Sequence, residues 1–232
     1  MVPHTHDDTG WQVTVDQYFF TEVYYVVDTV VDQLEKDPMR HFIYVETGFF
    51  ARWWDEQPDD RRNVTKALVA SGQLEFINGA WCMHDEASPF YVEMVDQTTR
   101  GHQFLTKNFG DTAIPRGTWQ IDVSAAAFFR SFLKRLTEAA AAQPFGHSNT
   151  EAWLLGAEAG FESLFWGRTD YQDLNYRMSY EGQQNNQWPE WVWRGSQSLG
   201  SSAEVFAGQL TTHNYGAPIS WDTGKRHDIA AI

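Results

Sequence analysis

The stretch HTHDDTGW (residues 4–11) lies almost at the start of the chain, and the rest of the sequence is organised around it. In an extended segment successive side chains alternate between two faces, so His4, His6 and Asp8 are predicted to point the same way. Imidazole and carboxylate groups on one face suit a borderline divalent cation such as zinc, and Trp11 places a flat ring beside it. The alternative is a polar strand end whose histidines only form hydrogen bonds within a loop.

The composition limits the class of partner. The chain of 232 residues has 17 Lys and Arg against 31 Asp and Glu, a net charge of -14, which argues against a nucleic-acid or anionic-membrane surface. The aromatic content of 16% supplies core residues and also flat faces that can stack on sugars. Cys82 is the only cysteine, so no intrachain disulfide is possible. We predict neither a membrane span nor a signal peptide from these residues.

Short apolar runs alternate with segments of helical periodicity, which predicts a parallel sheet with helical crossovers. The predicted strands are 42–45, 74–77, 118–121 and 163–166. The predicted helices are 13–34, 49–56, 59–71, 91–109 and 148–159. Residues 170–196 are polar and aromatic without periodicity, and we predict a long loop there.

Polar side chains follow each predicted strand, where the carboxyl ends of parallel strands converge on a ligand site. These polar tips are His6 and Asp8, Glu46, Asn78 and Asp85, Asp122, and Arg168. Some of them are expected to be structural, and Glu46 and Asp85 are as suited to capping loop amides as to binding a ligand. Several converging tips nevertheless predict one site at this edge of the sheet.

Seven stretches in the same order carry a resemblance to a known family. They are VPHTHDDTGW (2–11), VDQYFF (15–20), FIYVETGFFARWW (42–54), LEFINGAWCMHDEA (74–87), TWQID (118–122), PFGHSNTEAWLL (144–155) and FWGRTDYQD (165–173). The chain resembles glycoside hydrolase family 38, the zinc-dependent retaining α-mannosidases, and is most similar to the lysosomal-type branch. The resemblance implies an incomplete seven-stranded β/α barrel-like glycosidase/deacetylase fold, an N-glycan mannose substrate and a lysosomal or vacuolar location.

The resemblance also implies roles for individual residues. The implied zinc ligands are His6, Asp8 and Asp122, and Asp122 is also the implied nucleophile. The implied sugar-binding residues are Trp11, Phe145 and Arg168, the last of which contacts the nucleophile. His4 is not a ligand in the family, so its implied role is structural. Retaining glycosidases use one carboxylate as nucleophile and a second as acid/base, which explains these residue types.

One segment departs from the family, which runs from WQID directly into PFGHS. Here residues 123–143 intervene, and they are Ala-rich, basic and helix-prone. The dipeptide at Val123 and Ser124 can be encoded as GTRAGT, an intron start, and Gln143 as CAG, an intron end. We therefore infer a retained in-frame intron; the alternative is a genuine lineage-specific helix.

The ends of the chain depart from the family as well. The family's acid/base Asp and fourth zinc ligand, a His, follow the stretch matched by Asn214–Pro218, and residues 219–232 match poorly. We expect a partial catalytic domain of 1–232 that is inactive as written. Two alternatives stay open. One is another metal-dependent sugar hydrolase or deacetylase that uses His4, His6 and Asp8, and the other is a truncated product without catalysis.

Overall fold

Two small sheets form the framework of the protein. The structure is a computed structural model and describes residues 3–84, 90–119, 149–167 and 171–210. Strands β1 (Phe42–Tyr44) and β2 (Leu74–Phe76) pair in parallel. The second sheet has the order β3–β4–β6–β5. Its members are β3 (Gly117–Trp119), β4 (Ser163–Trp166), β5 (Glu190–Arg194) and β6 (Glu204–Gln209). Strands β3, β4 and β6 are parallel, and β5 is antiparallel to β6.

Hydrogen bonds beyond the strand pairs join the two sheets along one line. The Asn78 N–H, just after β2, donates to the Gly117 carbonyl oxygen in β3 at 3.0 Å. The Thr118 hydroxyl donates to the side-chain oxygen of Asn78 at 3.1 Å. On the other side of β1, His4 forms an isolated parallel bridge with Ile43. The described strands therefore follow one another side by side from the N-terminal segment to β4.

Helices flank these strands. In chain order they are α1 (Val15–Tyr18), α2 (Tyr24–Lys36), α3 (Thr47–Glu56), α4 (Asp59–Ala70), α5 (Tyr91–Phe109), α6 (Asn149–Glu151), α7 (Tyr171–Met178) and α8 (Tyr180–Gln184). Two π-helical segments, Phe19–Val23 and Ala152–Glu158, continue α1 and α6. Short 3-10 turns occupy Asp111–Ala113 and Gly200–Ala203. No helix in the described parts of the chain combines the length and the apolar character that crossing a membrane requires.

An aromatic core packs helices α2, α3, α4 and α5 against β1 and β2. Phe50 on α3 is fully buried, and its ring lies 5.0 Å from that of Phe76 and 6.0 Å from that of Phe109. Trp53 and Tyr44 are also fully buried within this cluster. A separate cluster around Trp166 packs the second sheet against the helical segment 149–158. Much of the high aromatic content is therefore core.

The structure corrects the prediction of one long loop. Residues 170–196 are not one long loop, because they contain α7, α8 and β5. Strand β5 was missed because a single edge strand of Trp and Val residues gives too short an alternation to register as periodic. The described strands form sheets of two and four strands that are not closed, so the seven-stranded arrangement stays a prediction. The mixed α/β class with parallel strands is confirmed.

His84 is a buried histidine in the loop after β2. Only 1% of its surface is exposed, and its Nε2 lies 3.3 Å from the Thr98 hydroxyl on α5. Burial lowers the pKa of His84 to about 4, although a hydrogen bond to the backbone of Met94 acts in the opposite direction. The folded protein therefore holds this imidazole neutral under conditions in which the unfolded chain would protonate it.

We expect His84→Gln to reduce the sensitivity of the fold to mild acid. An unfolded histidine takes up a proton near pH 6.5, whereas folded His84 does so near pH 4, so its contribution to stability is complete above pH 6.5 and is lost as the pH falls towards 4. Between pH 7 and pH 4.5 the parent should lose about 2 kcal/mol more unfolding free energy than the variant. Urea unfolding at both pH values measures this difference. The matched control His41→Gln replaces an exposed histidine and reports the effect of the substitution itself. Equal losses in the parent and His84→Gln would contradict the assignment.

Candidate functional site

The segment from Pro3 to Asp8 is attached to the edge of β1. The Ile43 N–H donates to the Pro3 carbonyl oxygen at 3.0 Å, and His4 and Ile43 pair in parallel. Because the two segments run in the same direction, the residues after His4 continue past the carboxyl end of β1. The sequence HDD is thereby delivered to the edge where ligand sites form in parallel sheets.

His6 and Asp8 lie together on one side of this segment. The His6 Nε2 is 3.2 Å from the Asp8 Oδ1, and their side chains are 14% and 22% exposed. For tetrahedral zinc the ligand atoms lie about 2.0–2.2 Å from the ion, which separates neighbouring ligand atoms by about 3.3 Å. The observed distance and the nitrogen and oxygen donors therefore fit two ligands of one zinc ion.

Two ligands alone do not complete a metal site. Within the described residues, no group of three or more His, Cys, Asp or Glu side chains is arranged to hold a metal ion. The third implied ligand, Asp122, lies outside the described residues, as do Phe145, Arg168 and Asp85. The same is true of the segments 123–143 and 219–232. The predicted roles of these residues stay predictions.

Asp7 lies between the two candidate ligands and is held by a buried tyrosine. The Tyr44 hydroxyl in β1 donates to the Asp7 Oδ2 at 3.1 Å. Burial raises the pKa of Asp7, and the hydrogen bond from Tyr44 partly offsets this rise. Burial also raises the pKa of Tyr44 well above its usual range, and the nearby Asp7 and Glu46 carboxylates add to that effect. The phenol therefore keeps its proton and acts as the donor.

Glu46, directly beyond β1, adds a third carboxyl group to this region. It is 1% exposed, and burial followed by the charge of Asp7 raises its pKa well above the usual range. The charge of Asp8 contributes in the same direction. Glu46 directly precedes α3, and its side chain makes no capping hydrogen bond to that helix. Hydrogen bonds from the backbone of Glu46 and Asp7 lower its pKa and partly offset the rise. Carboxyl groups gathered in this way favour a bound cation.

His4 and Trp11 differ from the His6–Asp8 pair in their surroundings. The His4 Nδ1 lies 3.1 Å from the Thr5 carbonyl oxygen, and the His4 backbone pairs with β1. These contacts suit the structural role predicted for His4. Trp11 is 73% exposed, so its indole ring is accessible to solvent. Its predicted part in sugar binding stays a prediction.

Asn78 is a polar tip with a structural role. It is 1% exposed and has a positive φ of 65°, a conformation that Asn tolerates better than most residues. Its carbonyl oxygen lies 3.0 Å from the His102 Nε2, and its side chain bonds to Thr118 as described above. Asn78 thus connects β2, β3 and α5 within the described structure.

Sequence reasoning missed the pairing of Tyr44 with Asp7. Tyr44 lies in the apolar run FIYV, a pattern that predicts its aromatic ring to be part of the core. The available signal was its hydroxyl group, because a buried tyrosine usually finds a hydrogen-bond partner. Asp7 was overlooked because alternation directs it away from the face shared by His6 and Asp8.

Comparisons with known proteins support a family assignment. A sequence model described as "Glycosyl hydrolases family 38 N-terminal domain" matches residues 1–126 and 123–231. An alpha-mannosidase of Arabidopsis thaliana is 45% identical over 100% of this chain and 20% of its own length. The alpha-mannosidase of Canavalia ensiformis is 42% identical over 100% of this chain and 21% of its own. The lysosomal alpha-mannosidase of Homo sapiens is 41% identical over 96% of this chain and 20% of its own.

Solved structures agree at the level of the fold. An alpha-mannosidase from Enterococcus faecalis V583 superposes with a TM-score of 0.62 at 18% identity, covering 90% of this chain and 20% of that one. A 4-alpha-glucanotransferase from Thermococcus litoralis gives a TM-score of 0.53 at 15% identity, covering 90% of this chain and 26% of that one. The chain spans about a fifth of the length of the curated relatives it matches. Since the family model matches almost every residue, the chain belongs to glycosyl hydrolase family 38 and lies within its N-terminal domain.

Proposed function

We propose that this chain is part of the catalytic domain of a zinc-dependent retaining α-mannosidase that removes terminal α-mannose residues from N-glycans. The observation that carries the proposal is the 3.2 Å separation of the His6 Nε2 and the Asp8 Oδ1 at the carboxyl end of a parallel strand. Relatives named alpha-mannosidase at 41–45% identity support the substrate class.

In this proposal His6, Asp8 and Asp122 hold the metal ion. Zinc, when bound, would supply positive charge beside the sugar and coordination positions for its hydroxyl groups. Nitrogen from one imidazole and oxygen from two carboxylates form a donor set that zinc accepts. The carboxyl groups of Asp7 and Glu46 would strengthen the local attraction for a cation.

The chemical steps belong to the side chains. Asp122 would attack the anomeric carbon as the leaving-group oxygen departs, forming a covalent glycosyl–enzyme intermediate that water then hydrolyses. A second carboxyl group, in the part of the family sequence after Asn214–Pro218, would protonate the leaving oxygen and later deprotonate the water. Trp11 and Phe145 would shape the mannose subsite, and Arg168 would favour the charged form of Asp122.

We further propose that the complete domain forms the seven-stranded β/α barrel-like fold of such glycosidases. The side-by-side succession of the His4 segment, β1, β2, β3, β4 and β6 supports this arrangement. The hydrogen bond between Asn78 and Gly117 provides the link between the two described sheets. A lysosomal or vacuolar location follows from relatives that are named lysosomal alpha-mannosidases.

Residues 123–143 are proposed to derive from a retained intron. Their composition differs from that of their surroundings, and the family model matches the chain in two parts that overlap at residues 123–126, where this segment begins. A foreign segment directly after Asp122 would displace the loop that carries Phe145. We therefore propose little turnover for the chain as written.

Zinc binding provides the first test of the proposal. We expect His6→Ala and Asp8→Asn each to weaken zinc affinity by about 100-fold or more, because a lost ligand should cost at least as much as a lost supporting group. Calorimetric titration of the metal-free chain with zinc measures the affinity. The matched control is His4→Ala, which should leave it unchanged. Equal losses for His4→Ala and His6→Ala would instead favour the hydrolase or deacetylase alternative that uses both histidines.

The nucleophile is tested in a chain extended to include the family's acid/base Asp and fourth ligand, without residues 123–143. Asp122→Asn should reduce hydrolysis of an aryl α-mannoside by several powers of ten, on the order expected for a covalent nucleophile, because the amide cannot attack the sugar. The control Asp59→Asn changes a carboxylate that is 98% exposed and should retain full activity. Activity of Asp122→Asn above about a tenth of the parent's would place the nucleophile elsewhere.

The intron proposal has its own test in the same extended chain. Joining Asp122 directly to Pro144 should give soluble protein with zinc-dependent mannosidase activity. The matched chain that retains 123–143 should be poor in both respects, because loops after buried strands normally have about 2–6 residues. The apolar residues Phe128, Phe132 and Leu136 would also expose a stripe that promotes aggregation. Equal activity of the two chains would identify the segment as a tolerated helix.

A further inference from the structure

Tyr44 has a position that its role as a core residue does not explain. Its side chain is 1% exposed, and its ring packs 5.7 Å from the ring of Phe50. A ring enclosed in this way has little freedom to move. Its hydroxyl nevertheless extends out of the aromatic cluster and donates to a carboxylate of the N-terminal segment. Strand β1 thus holds the Asp7 carboxylate, which belongs to the N-terminal segment, in a fixed position.

This hydroxyl holds Asp7 in place. In the sequence Asp7 lies directly between the two candidate ligands, His6 and Asp8. The Tyr44 hydroxyl is 3.1 Å from the Asp7 Oδ2, while the side chains of His6 and Asp8 meet each other at 3.2 Å. The segment is also attached at its beginning, where Pro3 and His4 pair with Ile43, and by a hydrogen bond between the Asp7 backbone and Glu46 just beyond β1. The Tyr44–Asp7 bond is the contact that holds the Asp7 side chain, and it helps to determine where the backbone of residues 6–8 lies.

Fixing the backbone at Asp7 matters because metal affinity depends on ligand placement. Residues that hold ligands by hydrogen bonds typically contribute about 10–100-fold to metal affinity. A hydrogen bond from a neutral donor to a carboxylate is also stronger than one between neutral groups. The partly buried Asp7 carboxyl would lose a charge-assisted hydrogen bond without this donor, so the bond stabilises both the segment and the site.

We propose that Tyr44 is a positioning residue for the metal site, acting through Asp7 to hold His6 and Asp8 in ligating geometry. This inference rests on the zinc site of the proposed function. It assigns no chemical step to Tyr44 or Asp7. Tyr44 sets the position of the segment at Asp7, and this position in turn determines where the side chains of His6 and Asp8 lie.

The test combines two measurements on the 232-residue chain, one of which needs no metal. Hydrogen–deuterium exchange of the peptide covering residues 3–10 in the metal-free protein reports how firmly the segment is held. Tyr44→Phe keeps the buried ring but removes the hydroxyl, and we expect about 10-fold faster exchange of this peptide. Zinc affinity, measured by calorimetry, should fall by about 10–100-fold. The matched control Tyr24→Phe removes a hydroxyl from the partly buried ring beside Phe19 in the same core and should change neither quantity.

Variants of Asp7 show whether Tyr44 acts through that residue. Asp7→Ala should match Tyr44→Phe in zinc affinity, and the double variant should be no weaker than Asp7→Ala alone. Asp7→Asn retains an oxygen that accepts from Tyr44 and should lose less affinity than Asp7→Ala. Independent, additive losses in the double variant would overturn the inference.

The outcomes separate this inference from the proposed function. A parent chain that binds no zinc overturns the zinc site, while faster exchange in Tyr44→Phe would still support the anchoring of the segment. A parent that binds zinc and a Tyr44→Phe chain that binds it equally well overturn the inference alone. Unchanged exchange in Tyr44→Phe overturns it whatever the zinc result.

Discussion

The candidate site depends on the attachment of the N-terminal segment to β1. One backbone hydrogen bond, from the Ile43 N–H to the Pro3 carbonyl oxygen, sets the parallel register. This register places residues 6–8 next to the residues that follow the carboxyl end of β1. A shift of one residue would exchange the two faces, turning Asp7 outwards and the ligand pair towards Tyr44. The chemistry proposed for this chain therefore begins with strand pairing, and side-chain placement follows from it.

The charge distribution around the site has a single physical explanation. Asp7, Asp8 and Glu46 lie close enough to influence one another, and burial disfavours the charged forms of Asp7 and Glu46. Carboxylates are seldom gathered in a buried region unless a cation or hydrogen-bond donors compensate them. The Tyr44 hydroxyl is one such donor, and the proposed zinc ion would be the cation. The excess of acidic residues in the whole chain does not account for this cluster, because most of the acidic residues that the structure describes are exposed.

The sequence was sufficient for the elements whose patterns are local. The apolar runs at 42–45, 74–77 and 163–166 became strands because short β-branched and aromatic runs between turn residues have few other stable conformations. The HTHDDTGW stretch predicted that His6 and Asp8 share a face, and they do. The fold of 171–194 could not be predicted in this way, since β5 exists only by pairing with β6 and packing Trp191 on Trp166. The Tyr44–Asp7 bond joins residues 37 positions apart, a separation that no local pattern encodes.

The central claim is that His6, Asp8 and Asp122 bind one zinc ion. A crystal structure of the zinc-loaded protein, with anomalous data collected at the zinc absorption edge, tests it most directly. The account predicts one strong anomalous peak with the His6 Nε2 and carboxylate oxygens of Asp8 and Asp122 about 2.0–2.2 Å away. A peak at another place, or an Asp122 carboxylate more than about 6 Å from the ion, would contradict it.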